Sequence, residues 1–156
     1  GTRLSKLDAG EYDAIILAAS GLKRLGLASR IRQTIDTQLS LPAVGQGALG
    51  LECRTNDEAI LKLIAPLADA ATDVCIRAER AFNKTLHGGC QVPIAGFAVL
   101  DGADLFLQGR VGNPDGSVLL KADLRGAPEN AEALGQQLAQ ALLDQGAGAL
   151  LAALYD

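Results

Sequence analysis

The side chain best placed for chemistry is the thiol of Cys90, which follows Gly88 and Gly89 in a turn-rich loop. A thiol gains little packing energy in such a loop, and two glycines let the backbone approach a ligand closely. Free cysteines in folded proteins usually pack as small apolar side chains. We therefore expect Cys53 and Cys75, which lie in apolar segments, to be core residues. Cys90 is the candidate functional thiol, and a structural loop cysteine is the alternative.

A second group of candidates is the arginines near predicted helix starts. Arg3 lies in the first turn of one predicted helix, and Arg24 follows another helix start at residues 20–21. Free N–H groups and the helix dipole favour anions there, and a guanidinium binds a carboxylate through two hydrogen bonds. Arg77 and Arg80 face away from the apolar stripe of a later helix, which is typical of a solvated face. The pattern predicts an acidic ligand for Arg3 and Arg24.

Other motifs are weaker. Residues 45–50 match G-x-G-x-x-G, but that fingerprint must follow a strand and open a helix. Pro42 precedes it and an extended stretch follows it, so the segment predicts a flexible hinge instead of a nucleotide site. His87 is the one histidine, so we expect a loop residue and no metal site. Three cysteines without paired spacing indicate reduced thiols and a cytoplasmic protein.

Composition limits the remaining choices. The 156 residues are 49% apolar and 3% aromatic, which favours helix-rich α/β or α+β packing over a β-sandwich. The net charge is −4, with six Lys and Arg against four Asp and Glu in residues 1–36, and eight against fourteen afterwards. This balance argues against general nucleic-acid binding but allows a small anion site. No apolar run approaches the roughly 20 residues that span a bilayer. The absence of Met predicts a processed chain or a fragment.

The N-terminal part is predicted to alternate short helices with strands of a parallel sheet. Apolar runs at residues 13–18 and 48–53 have strand length and are typical of strands covered on both faces. Helices are predicted in three places: residues 2–9 with Thr2 as cap, residues 20–25, and the stretch after a capping box formed by Thr55 and Glu58. These residues look like pieces of a larger α/β unit.

Residues 69–156 look like a complete small α+β domain. A helix over 69–86 carries an apolar stripe, and Pro128 is suited to the first turn of a closing helix with one apolar face. A last helix is predicted over 147–154. Three strands joined by Gly-containing turns are predicted between these helices, at residues 94–100, 105–111 and 118–125. They indicate an antiparallel meander.

Several segments resemble the porphobilinogen deaminase (hydroxymethylbilane synthase) family, in order and along the whole chain. They are residues 1–8, 12–18, 21–25, 41–47 and 78–82, and the most specific is Gly88-Gly89-Cys90-Gln91-Val92-Pro93-Ile94. The resemblance covers the C-terminal half of the family's enzyme. It implies two binding-protein-like α/β domains followed by a C-terminal domain with a three-stranded antiparallel sheet. Residues 1–40 would be part of the second α/β domain, 41–66 a crossover returning to the first, and 69–156 the C-terminal domain.

The resemblance also implies that the protein is a transferase, and that it is cytoplasmic and monomeric. The family joins four porphobilinogen molecules head to tail with release of ammonia, on a dipyrromethane cofactor held by a thioether to a loop cysteine. That cysteine would be Cys90, acting as an anchor and not as a turnover nucleophile. The pyrrole acetates and propionates would be held by Arg3, Arg24 and Arg80, with Gln46 lining the interdomain cleft and Ala18 and Gly21 offering backbone groups. The catalytic Asp is expected in the N-terminal half, which would be missing here or present as a separate chain.

Two other functions stay open from the residues themselves. A periplasmic-type binding protein for a carboxylated small molecule uses the same βα pieces and arginines, but it does not explain Cys90. A thiol redox module lacks the expected C-x-x-C spacing. The intact mass separates them, because only the deaminase carries a covalent adduct of two pyrrole units.

Overall fold

The structure is a computed structural model that describes residues 1–89 and 92–154. It divides into two units, Gly1–Leu39 and Ser40–Asp156, and each is described by itself. Among the described residues, no helix is both long and apolar enough to cross a membrane.

The N-terminal unit contains two short helices, α1 (Thr2–Asp8) and α2 (Ala19–Arg24), and a 3-10 turn at Ala28–Arg30. A side-chain ion pair between Arg30 and Asp8 joins the turn to α1. Every residue of Gly1–Leu39 is described, and none of them is buried. The unit is therefore held by local hydrogen bonds and charge pairs instead of a core of its own.

The ends of α1 differ in part from the prediction. Gly1 is the N-cap and makes no side-chain cap, so the prediction that Thr2 caps this helix is wrong. The helix ends as expected at Gly10, whose φ of +75° lies in the left-handed region that glycine adopts without strain. Its N–H donates to the Leu7 carbonyl at 3.0 Å.

The two strands predicted in the first part of the chain are wrong. Residues 13–18 and 48–53 form no strand, and several of their apolar side chains are exposed, with Ile16 81% and Leu49 86% exposed. A strand needs a neighbour to take its N–H and C=O groups. Within the part of the chain that the structure describes, the only sheet is one of three strands, and neither segment joins it.

The second unit begins with a docked turn and a short helix. Residues 44–47 form the turn, and α3 spans Glu58–Ile64. The cap of α3 is Asp57, whose carboxylate accepts the Ile60 N–H at 3.2 Å, so the prediction that Thr55 caps it is wrong. Thr and Asp side chains can both cap a helix, and here the cap is Asp57, the residue directly before Glu58.

The α+β domain predicted after residue 69 is present. Helix α4 (Ala70–Thr85) starts at Asp69, whose carboxylate accepts the Thr72 N–H at 2.8 Å. The strands β1 (Ile94–Asp101), β2 (Asp104–Gly112) and β3 (Leu119–Gly126) form an antiparallel sheet in the order β1-β2-β3. Helix α5 (Ala131–Asp144), preceded by a 3-10 turn at Pro128–Asn130, and helix α6 (Ala147–Ala152) close the domain. Helices α4 and α5 pack against one another and on one face of the sheet.

The core of this domain depends on close packing at three glycines. Gly96 and Gly109 are cross-strand partners on β1 and β2, and together they leave room for the fully buried ring of Phe82. A Cβ added at Gly109 would lie 2.7 Å from that ring, and one at Gly96 would lie 3.0 Å from it. On α5, a Cβ at Gly135 would lie 2.3 Å from the Ala78 carbonyl oxygen, so the two helices touch through their backbones.

Candidate functional site

The loop expected to carry the cofactor is fixed on its N-terminal side by Asn83. The Asn83 amide donates to the Gly88 carbonyl at 3.1 Å, and the Gly88 N–H donates to the Asn83 carbonyl at 2.9 Å. A Cβ at Gly88 would lie 2.1 Å from Asn83 Oδ1, so a larger residue there would displace the Asn83 side chain. Gly89 is exposed, and no atom of the described residues lies within 4 Å of a Cβ built there. The predicted attachment residue, Cys90, lies outside the described residues.

The C-terminal side of the same loop is also held by the backbone. The Ile94 N–H donates to the Val92 carbonyl at 2.8 Å, and the Pro93 carbonyl accepts the Gly112 N–H at 3.2 Å. These bonds carry the chain into β1. Both ends of the loop are thus attached to the α+β domain.

The arginines fall into two groups. Among the described residues, Arg3, Arg24, Arg32 and Arg80 make no ion pair with a carboxylate, and all four are exposed. Five other arginines do make such pairs: Arg30, Arg54, Arg77, Arg110 and Arg125. The three predicted carboxylate ligands are therefore free to bind an external anion.

Arg77, whose role the sequence left open, has a structural one. Its guanidinium donates to Asp73 at 2.9 Å within α4 and lies 3.9 Å from Glu132 on α5. It therefore links two helices, and it is the natural control for Arg80 on the next turn.

The backbone near Arg24 differs from the expectation. Arg24 is the last residue of α2, which has six residues, so it lies at the end of the helix and not just after its start. Ala18 is the N-cap, and its carbonyl accepts the Gly21 N–H at 3.1 Å. A ligand that used the Gly21 N–H would have to compete with this hydrogen bond. Arg3 lies in the first turn of α1, as predicted.

Glu79 joins the turn that carries Gln46 to the helix that carries Arg80. One carboxylate oxygen of Glu79 accepts the Gly45 N–H at 2.8 Å, and the other accepts the Ala98 N–H of β1 at 2.8 Å. Gln46 and Arg80 each follow one of the bonded residues in sequence, and both are exposed. The structure thus places two predicted ligands on segments joined by one buried carboxylate.

Sequence reasoning did not single out Glu79. The signal was present, because Glu79 lies four residues after Cys75 and three before Phe82, on the apolar side of α4. Its side chain is buried, with 4% of the residue exposed. Burial raises the pKa of the Glu79 carboxyl, and the N–H groups of Gly45 and Ala98 partly offset that rise.

The other two cysteines differ from one another. Cys75 packs against the core of the α+β domain, as predicted, and burial raises the pKa of its thiol despite the Leu100 N–H directed at it. A thiol with a raised pKa is a poor nucleophile at neutral pH. Cys53 is half-buried in an unpaired segment, so its predicted place in a strand is wrong.

The described residues form an α+β fold in which several exposed arginines make no ion pair with a described carboxylate. Residues 1–62 match the family model described as porphobilinogen deaminase, dipyromethane cofactor binding domain, and residues 74–144 match the model described as porphobilinogen deaminase, C-terminal domain. The chain belongs to the porphobilinogen deaminase family, a family of transferases in tetrapyrrole biosynthesis, and its cofactor is dipyrromethane. These matches give no support to a periplasmic binding protein.

The described residues fit that cofactor. Dipyrromethane carries several carboxylates, and guanidinium groups such as those of Arg3, Arg24 and Arg80 are suited to bind them in pairs of hydrogen bonds.

Proposed function

We propose that this chain carries the cofactor tether and part of the carboxylate-binding surface of hydroxymethylbilane synthase. That enzyme joins four porphobilinogen molecules head to tail and releases one ammonia for each. The observation that supports the proposal is the match of residues 1–62 and 74–144 to two models of this family. The unpaired arginines add a physical reason, since each addition increases the negative charge of the product.

In this proposal Cys90 holds the cofactor through a thioether and does not turn over. When bound, dipyrromethane supplies the pyrrole ring to which the first substrate is joined. Arg3, Arg24 and Arg80 bind acetate and propionate groups, each pair contributing roughly 1.5–3 kcal/mol. Gln46 adds a neutral hydrogen-bonding side chain, and Ala18 and Gly21 offer backbone groups.

We also propose how the residues are shared among domains. Residues 1–40 belong to the second of two binding-protein-like α/β domains, 41–66 to a crossover into the first, and 69–156 to the C-terminal domain. The catalytic Asp is supplied from outside these residues, by an N-terminal half. The exposed apolar runs at 13–18 and 48–53 support this, because they resemble strands that lack their sheet. Reduced thiols favour the cytoplasm.

Replacement of Cys90 by serine tests the tether. Cys90→Ser should abolish the covalent pyrrole adduct, because a serine hydroxyl is a poorer nucleophile than a thiol. Cys75→Ser is the control and should keep the adduct while losing roughly 1–3 kcal/mol of stability if its hydroxyl is buried unpaired. The measurement is the intact mass of the purified protein. An adduct of two pyrrole units on the Cys90→Ser protein would refute the assignment.

Two neighbouring arginines test the carboxylate sites. Arg80→Leu should lower porphobilinogen turnover by about 10-fold to 100-fold with little change in unfolding, as should Arg24→Leu. Arg77→Leu should weaken the contact between α4 and α5 and leave turnover per folded molecule unchanged. The assay uses this chain combined with the N-terminal half. Equal turnover in the Arg80→Leu and parent enzymes would contradict the proposed role.

An assay of the chain by itself tests whether the catalytic Asp lies outside these residues. Purified 156-residue protein that is free of any N-terminal half should consume no porphobilinogen, and activity should return when that half is added. Turnover by the chain alone would mean that the catalytic group lies within these residues.

A further inference from the structure

The buried carboxylate of Glu79 bonds two segments that are far apart in sequence. Its bond to Gly45 spans 34 residues and its bond to Ala98 spans 19. A buried carboxylate is costly unless hydrogen bonds replace its water. Here each oxygen accepts one backbone N–H at 2.8 Å, so the side chain bridges the Gly45 turn and β1.

The geometry of the sheet explains why this position takes an acceptor. Ala98 lies on β1, which is an edge strand because the sheet order is β1-β2-β3. Half of the N–H groups of an edge strand point away from the sheet and need another partner. One oxygen of Glu79 fills this need at Ala98, which leaves the second oxygen for Gly45.

A second contact holds the same turn. Val44 packs against the core, and a Cβ at Gly96 would lie 3.1 Å from Val44 Cγ2. Val44 and Gly45 are the two residues before Gln46, so the turn is attached by one apolar and one polar contact just before the exposed glutamine. Gly45 has a φ of +79°, a conformation that glycine adopts without strain.

We propose that Glu79 is a positioning residue that fixes the backbone turn carrying Gln46 before the growing polypyrrole binds. This rests on the proposed function, which assigns Gln46 and Arg80 to that ligand. A turn that contains Gly45 and Gly47 would otherwise be flexible, and ordering it on each binding event would weaken binding. The bridge removes that cost in the free protein.

The requirement is for a carboxylate and not merely for a polar side chain of this size. A carboxylate accepts at both oxygens, whereas an amide offers one acceptor and directs an NH₂ group at the other N–H. Glu79→Gln therefore leaves Gly45 or Ala98 without an acceptor while the volume stays nearly the same. Val111→Ala is the matched control, since Val111 is fully buried in the same core and lies outside the bridge.

Amide hydrogen exchange tests the bridge directly in this chain. The Gly45 N–H should be protected in the parent protein and should exchange about ten-fold faster or more in Glu79→Gln. In Val111→Ala it should change no more than the other core amides do. An unprotected Gly45 N–H in the parent would overturn the proposal, and this result does not depend on any variant folding.

Non-additivity tests whether Glu79 acts through Gln46. The enzyme is this chain combined with the N-terminal half, and turnover is compared for Glu79→Gln, Gln46→Ala and the double variant. If Glu79 works by holding Gln46, the double variant should lose no more turnover than Gln46→Ala alone, within about two-fold. Losses that multiply would overturn the positioning role. If the parent enzyme consumes no porphobilinogen, the proposed function fails, and exchange at Gly45 still decides the bridge.

Discussion

The first 67 residues and the α+β domain after them differ in how far their large apolar side chains are buried. In the first region Ile16 and Leu49 are 81% and 86% exposed, whereas Phe82, Leu107 and Leu138 are fully buried in the second. Both regions have sequences typical of buried elements. The difference is that α4, α5 and the sheet supply each other's partners within one stretch of chain. Periodicity therefore predicts which residues need burial, but it does not predict which helix or strand covers them.

The exposed side chains of the first region also indicate how it is used. Clusters of exposed apolar residues mark surfaces that contact other polypeptide. This supports the proposal that an N-terminal half of the enzyme packs against these segments. The second region has a buried core of its own, and Val44 of the first region packs against it.

The sharpest test of this contrast is to shorten one large side chain in each region. Phe82→Ala should lower the free energy of unfolding by about 3–5 kcal/mol, because it empties the space between Gly96 and Gly109. Ile16→Ala should change it by less than about 0.5 kcal/mol, since Ile16 is already in water. Urea denaturation followed by circular dichroism measures both. A comparable loss in Ile16→Ala would mean that the first region has a core after all.

A smaller effect is expected from adding one methyl group in a helix of each region. Gly135→Ala should destabilise the protein by roughly 1–3 kcal/mol, because the new Cβ meets the Ala78 carbonyl of α4. Gly21→Ala should favour helix α2 by roughly 0.5–1 kcal/mol, because nothing lies within 4 Å of that position. The unfolding midpoint reports the first change and helical content the second. An unchanged midpoint in Gly135→Ala would argue against the close helix contact.

The smallest effect concerns pH and tests the cap of helix α4. The pKa of Asp69 is lowered by its hydrogen bonds to Thr72, so its contribution to stability is present above 3.8 and is lost as the pH falls through the folded value. The difference in stability between the parent protein and Asp69→Asn should therefore shrink on acidification. Denaturation at neutral pH and at several acidic pH values measures this trend, and a constant difference would contradict the assignment.

Much of the α+β domain could be predicted because its signals are local. Turn residues and alternation predicted three strands in the right places, and helical spacing predicted the buried face of α5. The strands predicted at 13–18 and 48–53 failed because pairing is decided by residues elsewhere. The cap of α3 was placed at Thr55 instead of Asp57, since two capping side chains lie within one turn and sequence alone does not choose between them.

The candidate site was predictable to a similar degree. The exposure of Arg80 followed from helical spacing, and the structure adds that it pairs with no carboxylate among the described residues. Glu79 could have been noticed as a charge on an apolar face. The hydrogen-bond partners of Glu79 could not have been predicted, because Gly45 and Ala98 are remote from it in sequence. Each contributes only a backbone N–H, which every residue except proline has.

The packing of Phe82 between two glycines has a consequence for how this domain can vary among related proteins. Gly96 and Gly109 face each other across two strands, and neither can gain a methyl group while the ring remains. A smaller residue at position 82 would instead leave a void that a methyl group on either strand could fill. The three positions are therefore expected to co-vary in an alignment of homologues, with a smaller residue at the ring position accompanying alanine at one of the glycines.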